Sequence, residues 1–334
     1  MTVAAIGLKG AGALLWLVYV WLLSRLLAPD MLGAVLYALG LAGVAGTLAA
    51  AGWTQLLLRS GSRHRGDASR LGHLLGGALR AALSGGALTA AILLASSVAG
   101  FLPFGLAVAA LAAIAAMLQA VAAVLAAAQR ARGRLVTVLL VEGPLRAGLP
   151  AGLTALTALH GSPDAATCLG LFTASHVPLL LALLRGLPRP GPVRTGVGEA
   201  RTLWQAQAGW HLFASLDLIA AGALLPPAEA GAYLVARRIA GLAGLVFDAL
   251  RIVHAPFLAR AFAGGRGREA AEACNRRFLT IGMVTIGALA VAAPTALDVL
   301  GAGADAGGAT IAGLLAVQSA PALFGAIGMT LTMA

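Results

Sequence analysis

The residues of this sequence that could do chemistry are the charged ones that fall inside apolar runs. Between Leu203 and Ala240, two hydrophobic stretches flank the short turn PPAEAG; Asp217 lies in the first stretch and the adjacent pair Arg237 and Arg238 in the second. Counted from the turn, Asp217 is about ten residues back and Arg238 about ten residues on, so an antiparallel helical hairpin brings them to similar depth. A charge inside a membrane span costs a few kcal/mol or more unless it is paired or faces water, which makes these three residues functional candidates. Adjacent helical residues point about 100° apart. The expectation is that Asp217 pairs with Arg238 while Arg237 faces a cavity, the two arginine roles being exchangeable. Fixed positive charge in a wet cavity holds an anion.

Other charges extend the set. Lys9 and Arg25 sit near the two ends of the first apolar run, where a long basic side chain can reach the interface or line a path. Glu142 and Arg146, four apart, are expected to form a local ion pair on one helix face. Asp248 and Arg251, three apart, and the following His254 fall toward the cytoplasmic end of the eighth run; His211 lies deeper, in the seventh. Trp16, Tyr19 and Trp21 are read as interfacial anchors or as lining a cavity, the interface being the favoured reading.

Enzymatic signatures are missing. Cys168 and Cys274 lie in or beside different runs and suggest neither a disulfide framework nor a metal site. There is no HExxH and no Walker lysine motif, and GAGADAG near Gly301 neither follows a strand nor opens a nucleotide domain. No catalytic residue, metal or cofactor is assigned, and the protein is expected not to be an enzyme.

The elements that carry these residues are membrane spans. Only 10% of residues are charged and 60% are hydrophobic, whereas a soluble domain is about a quarter charged. Ten runs are long enough to span, near 6–27, 32–57, 73–98, 104–128, 135–158, 166–184, 203–225, 231–256, 278–299 and 309–331. Runs three and four offer only Arg80. The net charge of +11 does not point to nucleic acid, because sixteen of the 23 basic residues lie in four alternate connections. The other connections hold Asp30, Asp164, Glu229 and Asp305 and no Lys or Arg. The bias toward basic cytoplasmic loops therefore places the N-terminus inside. The first run lacks a small-residue cleavage site and reads as a retained helix.

LLAPDMLGAVLYA (26–38) aligns without a gap with LLPPAEAGAYLVA (224–236), identical at seven of thirteen positions, including Pro29/Pro227 and Gly33/Gly231. Six runs separate the copies, so both have the same orientation, as in a parallel repeat about the membrane normal. The fold class is therefore an all-α polytopic bundle of two pseudo-symmetric lobes. The expected division is 1–185, a linker at 186–202 rich in alternating prolines, and 203–334. Six runs precede the second copy but only four follow from Leu203, so the chain reads as a fragment or a shortened relative with an incomplete second lobe.

In family order, SRLLAPDMLGAVLYALG, GWTQLLLR, AAAQRARGRLVTVLL, LDLIAAGALLPPAEAGAYLVARRIAGL and APFLARAF resemble segments of the Wzx-type oligosaccharide flippases. These belong to the superfamily that also holds the multidrug MATE exporters. The resemblance implies a central cavity and alternating access that turns a polyprenyl-diphosphate-linked oligosaccharide across the bacterial inner membrane for cell-surface polysaccharide or lipopolysaccharide synthesis. Basic cavity residues would engage the diphosphate; Lys9, Arg25, Arg237, Arg238 and Arg251 are the candidates, with Asp217, Glu142, Arg146 and Asp248 as ion-pair or coupling residues. Partners implied are the lipid-linked glycan, membrane lipids and polysaccharide polymerase or export machinery. The alternatives are a cation-coupled drug exporter, a membrane-embedded glycosyltransferase or polymerase, and a non-functional truncated copy.

Overall fold

A computed structural model describes residues 2–63, 67–192, 196–263, 266–300 and 313–314. These form α1 (Thr2–Leu26), α2 (Pro29–Ala50), α3 (Trp53–Arg63), α4 (Ala68–Val98), α5 (Leu106–Ala131), α6 (Leu135–Leu140), a π-helical turn (Val141–Leu145), α7 (Arg146–Ala158), α8 (Ala165–Leu184), α9 (Val197–Phe213), α10 (Leu216–Leu224), α11 (Pro227–Ala263) and α12 (Gly267–Val299). No strand occurs among the described residues. Among them, seven stretches are long and apolar enough to cross a bilayer: Gly7–Leu26, Pro29–Ala50, Ala68–Val98, Leu106–Ala131, Leu135–Ala158, Ala165–Leu184 and Gly267–Val299. The expected all-α polytopic bundle is what forms.

Three expected spans are interrupted, each for a local reason. The run 32–57 ends early, because Gly52 takes φ +77 and starts α3 in a new direction; only glycine adopts that conformation cheaply. The run 203–225 is broken at Ala214–Ser215 into α9 and α10, and helical bonding resumes where the Ile219 N–H donates to the Ser215 carbonyl at 3.1 Å. The run 135–158 contains the π-turn, where Pro144 has no N–H to donate and Gly143 leaves helical geometry. The run 231–256 lies within α11; the side chains of Asp248, Arg251 and His254 on it lie outside the described residues, as do Asp305, the GAGADAG segment and most of 309–331.

The chain divides into two compact units. One is Leu14–Gly231; the other comprises the described residues of Met1–Ala13 and Ala232–Ala334. Both divisions fall inside continuous helices, α1 and α11. The first unit packs through small residues, as helices in lipid do. A Cβ on Gly46 would lie 2.7 Å from the Ala116 carbonyl, and one on Gly85 would lie 3.1 Å from the Ala49 Cα. Leu56, Leu57, Leu75 and Leu125 fill its core with α5 alanines. In the second unit Phe278 and Cys274 pack with Ala243, Ala270 and Ala271.

The described part of the segment 186–202, expected as a linker between lobes, is bonded to α4: the Gly191 N–H donates to the Gly72 carbonyl at 2.8 Å. Just before it, Gln129 Nε2 donates to the Leu183 carbonyl at 2.6 Å and Arg134 Nη1 to the Arg185 carbonyl at 2.9 Å. Beyond it α9 is fastened to the α2–α3 corner. Trp204 Nε1 donates to the Leu48 carbonyl at 2.8 Å, the Gly52 N–H donates to Gln207 Oε1 at 3.0 Å, and Arg59 pairs with Glu199 at 3.2 Å.

The two copies of the repeated turn have the same backbone pattern. The Leu27 N–H bonds the Leu23 carbonyl and the Leu32 N–H the Ala28 carbonyl, both at 2.9 Å. At a shift of 198 residues, the Leu225 N–H bonds the Ala221 carbonyl at 3.0 Å and the Ala230 N–H the Pro226 carbonyl at 2.9 Å. Each following helix begins on the matched proline, Pro29 or Pro227, whose fixed φ suits the first helical position. The matched glycines also meet each other. A Cβ on Gly231 would lie 2.8 Å from the Gly33 Cα, and one on Gly33 would run into the Pro227 carbonyl.

Candidate functional site

The π-turn decides how charge is arranged in the fifth span. In an α-helix Glu142 and Arg146 would share a face. Here the Arg146 N–H reaches back to the Val141 carbonyl, a five-residue closure that rotates the downstream helix out of phase. The expected Glu142–Arg146 ion pair does not form. Glu142 instead pairs with Arg130, near the end of α5, and Arg146 Nη2 donates to Gln119 Oε1, in the middle of α5. Gln119 and Arg130 are eleven residues apart, roughly 16 Å along the helix, so the acid and the base are used at different depths. Arg146 keeps an accessible side chain and a neutral hydrogen-bond partner.

Around this pair the interior is more polar than the composition of the runs suggests. Tyr19 on α1, Thr154 on α7 and His176 on α8 are all buried. Trp16 packs on Tyr19 with ring centroids 5.2 Å apart and on Phe172 at 6.0 Å, while His176 meets Phe172 edge-on at 4.9 Å. Tyr19 is thus an interior residue rather than an interfacial anchor, and Trp16 is half-buried against it. Trp21 lies near the C-terminal end of α1, with the Arg25 guanidinium 6.0 Å from its ring; Arg25 lies in the exposed last turn of α1. Gln119 and His176 are absent from the sequence-derived candidates because their runs are otherwise nearly featureless. A lone amide and a lone imidazole in such runs are the signal that could have found them, since polar groups in lipid must find partners within the protein.

Other candidates are dispersed. Asp217 is half-buried in the first turn of α10, next to the break. Its neighbour Leu218 fits against α2, where a Cβ on Gly40 would lie 2.5 Å from the leucine Cδ1. One turn outward Tyr37 lies over Gly222. Arg237, half-buried, and Arg238, exposed, are on α11 in the second unit, and Lys9 is half-buried on α1. The pairing expected between Asp217 and Arg238 joins residues of different units. Among the described residues no cluster of three or more His, Cys, Asp or Glu could hold a metal ion.

This architecture is that of the MATE and MOP superfamily transporters. The chain aligns over its full length with an inward-facing multidrug resistance MATE family transporter of the MOP superfamily, at 14% identity and a TM-score of 0.70, covering 86% of that chain. It aligns as fully with a MOP superfamily transporter from Pyrococcus furiosus, at 14% identity and a TM-score of 0.67, covering 82% of it; reverse polarity of that protein's binding pocket is described as suggesting a different function. With the MATE multidrug transporter DinF-BH it shares 15% identity and a TM-score of 0.66, over 99% of this chain and 83% of that one. No protein-family model matches the sequence, and no curated protein matches it.

Proposed function

We propose that the protein is a membrane transporter that turns a polyprenyl-diphosphate-linked oligosaccharide across the inner membrane by alternating access, with its N-terminus cytoplasmic. The observation that carries this reading is the guanidinium of Arg146, which among the described residues bonds an amide rather than a carboxylate. Glu142 is the only carboxylate in the interior of the first six apolar stretches, and it is taken up by Arg130. Arg146 is steadied by Gln119, which leaves its charge in place. A positive charge in a low-dielectric interior attracts a diphosphate far more strongly than it would in water. A guanidinium fork also matches phosphate oxygens geometrically.

Arg237 and Arg238 add positive charge on α11, and Lys9, Arg25 and Arg251 remain candidate diphosphate ligands. The glycan-processing polymerase or export machinery is the natural acceptor of the product. A second reading, cation-coupled drug export, is favoured by Asp217 beside the broken seventh span and by the multidrug transporters that share the fold. The other interior carboxylate of the first unit, Glu142, is already held by Arg130 and is not open to a cation.

The test is complementation of a strain lacking its own flippase, scoring surface glycan with protein abundance as control. Arg146→Gln abolishes export at normal abundance, and Arg146→Lys restores part of it, because a point charge still attracts phosphate. Normal glycan export by Arg146→Gln, or drug resistance conferred by the unaltered protein without glycan export, overturns the proposal.

A further inference from the structure

Behind Arg146 lies a second tier of polar groups that no solute can reach. Tyr19 and Thr154 are 0% exposed and His176 is 1% exposed. Tyr19 Oη, Thr154 Oγ1, His176 Nε2 and Gln119 Nε2 have no hydrogen-bond partner in the protein. Tyr19 and Thr154 adjoin across α1 and α7, close enough to interact but without a formed hydrogen bond. Native interiors rarely leave such groups unpaired, and a concentration of them calls for a specific role.

His176 is the member that can change state. Its Nδ1 lies 3.0 Å from the Phe172 carbonyl. An acceptor there requires an N–H on Nδ1, which assigns the neutral tautomer with its lone pair on Nε2. That lone pair is the unpartnered atom. The ring lies within electrostatic reach of Arg146. The remaining surroundings are known element by element. α1 contributes Tyr19, α5 contributes Gln119, α7 contributes Arg146 and Thr154, the π-turn contributes Glu142 tied to Arg130, and α8 itself contributes Cys168. The ionisable side chains of α2 are Asp30 and Tyr37, both in its outer half.

Access sets the class of ligand. Arg146 is exposed, whereas His176, at 1% exposure, is too buried for any ligand larger than a proton. We propose that His176 is a proton-binding site linked to the anion site, its Nε2 lone pair taking a proton from solvent when an anion neutralises Arg146. The inference rests on Arg146 as the anion anchor. Its physical basis is mutual repulsion: a proton on His176 stands beside the guanidinium, and a bound anion cancels that charge. Linkage then runs both ways, and a proton on His176 strengthens anion binding by the same factor.

The experiment uses the full chain in lipid nanodiscs and a short-chain prenyl-diphospho-sugar, whose diphosphate diester keeps a constant charge near neutral pH. Calorimetry in buffers of differing ionisation enthalpy counts protons taken up on binding. The unaltered protein takes up protons, and its affinity rises about tenfold from pH 8 to pH 6. His176→Gln, and His176→Asn as a second variant, bind with a pH-independent affinity and no proton uptake. Binding by the unaltered protein without proton uptake overturns the proposal and leaves the anion reading standing, whatever the variants do. A pH profile unchanged by both variants moves the proton elsewhere and overturns it too. Failure to bind at any pH removes the anion anchor and this inference with it.

Discussion

The two matched hairpins of this chain share a turn and differ in the helix that leads into it. Both turns carry the same backbone hydrogen bonds and start the next helix on a matched proline. In the first copy the incoming helix α1 is unbroken from Thr2 to Leu26, and Trp16, half-buried, packs on the interior residue Tyr19. In the second copy the matched positions are Ala214 and Asp217, and there the helix breaks. Further on, Gly40 of the first copy makes room for Leu218, whereas the second copy has Arg238 at that place. The two copies thus share the turn chemistry and differ in the spans. One is closely packed, and the other carries charge and a discontinuity, the combination found where transporter helices line a cavity.

The contrast between the copies collapses most visibly if the charges of the second are idle. Arg237→Gln with Arg238→Gln is expected to abolish glycan export in the complementation assay at unchanged abundance, with lysine at both positions restoring part of it. Normal export would reduce the difference between the copies to packing alone. The seam where the copies meet gives a smaller effect. Gly33→Ala and Gly231→Ala each push a Cβ into backbone of the other copy. Each is expected to lower stability by about 1–3 kcal/mol, read as an earlier unfolding midpoint in detergent; an unaffected variant would mean that the two helices do not cross there. The smallest effect has the opposite sign. Gly209 in α9 has open space where a Cβ would go, and its match in α1 is already Ala11. Gly209→Ala should stabilise by roughly 0.5–1 kcal/mol, measured by the same unfolding midpoint. A loss instead would indicate that α9 needs a glycine that α1 does not.

The fold class was legible because long apolar runs leave little else to build, and the repeat was legible because proline and glycine at turns answer to strict geometry. The interruptions were less so. Ala214 and Ser215 carry no strong breaking signal, and the π-turn depends on how Gly143 and Pro144 act together within one apolar run. That turn is why the charge pattern misled: spacing of four implies a shared face only if the helix keeps its phase. Gln119 matters because of what Arg146 lacks, which spacing along one helix does not reveal. The Pro-rich segment looked like a tether by composition, yet its backbone amides and the glycines of α4 fit together, a complementarity between distant stretches.

Fastening that segment, and α9 after it, has a mechanical consequence. With these loops bonded down, the chain leaves its larger unit only within α1, at Ala13–Leu14, and within α11, at Gly231–Ala232. Both crossings are rods rather than strings. A loop yields through entropy and resists little until it is taut; a continuous helix resists bending from the first degree and returns when released. A bend in either helix therefore acts as a leaf spring, its restoring force growing with the excursion instead of arriving at a limit.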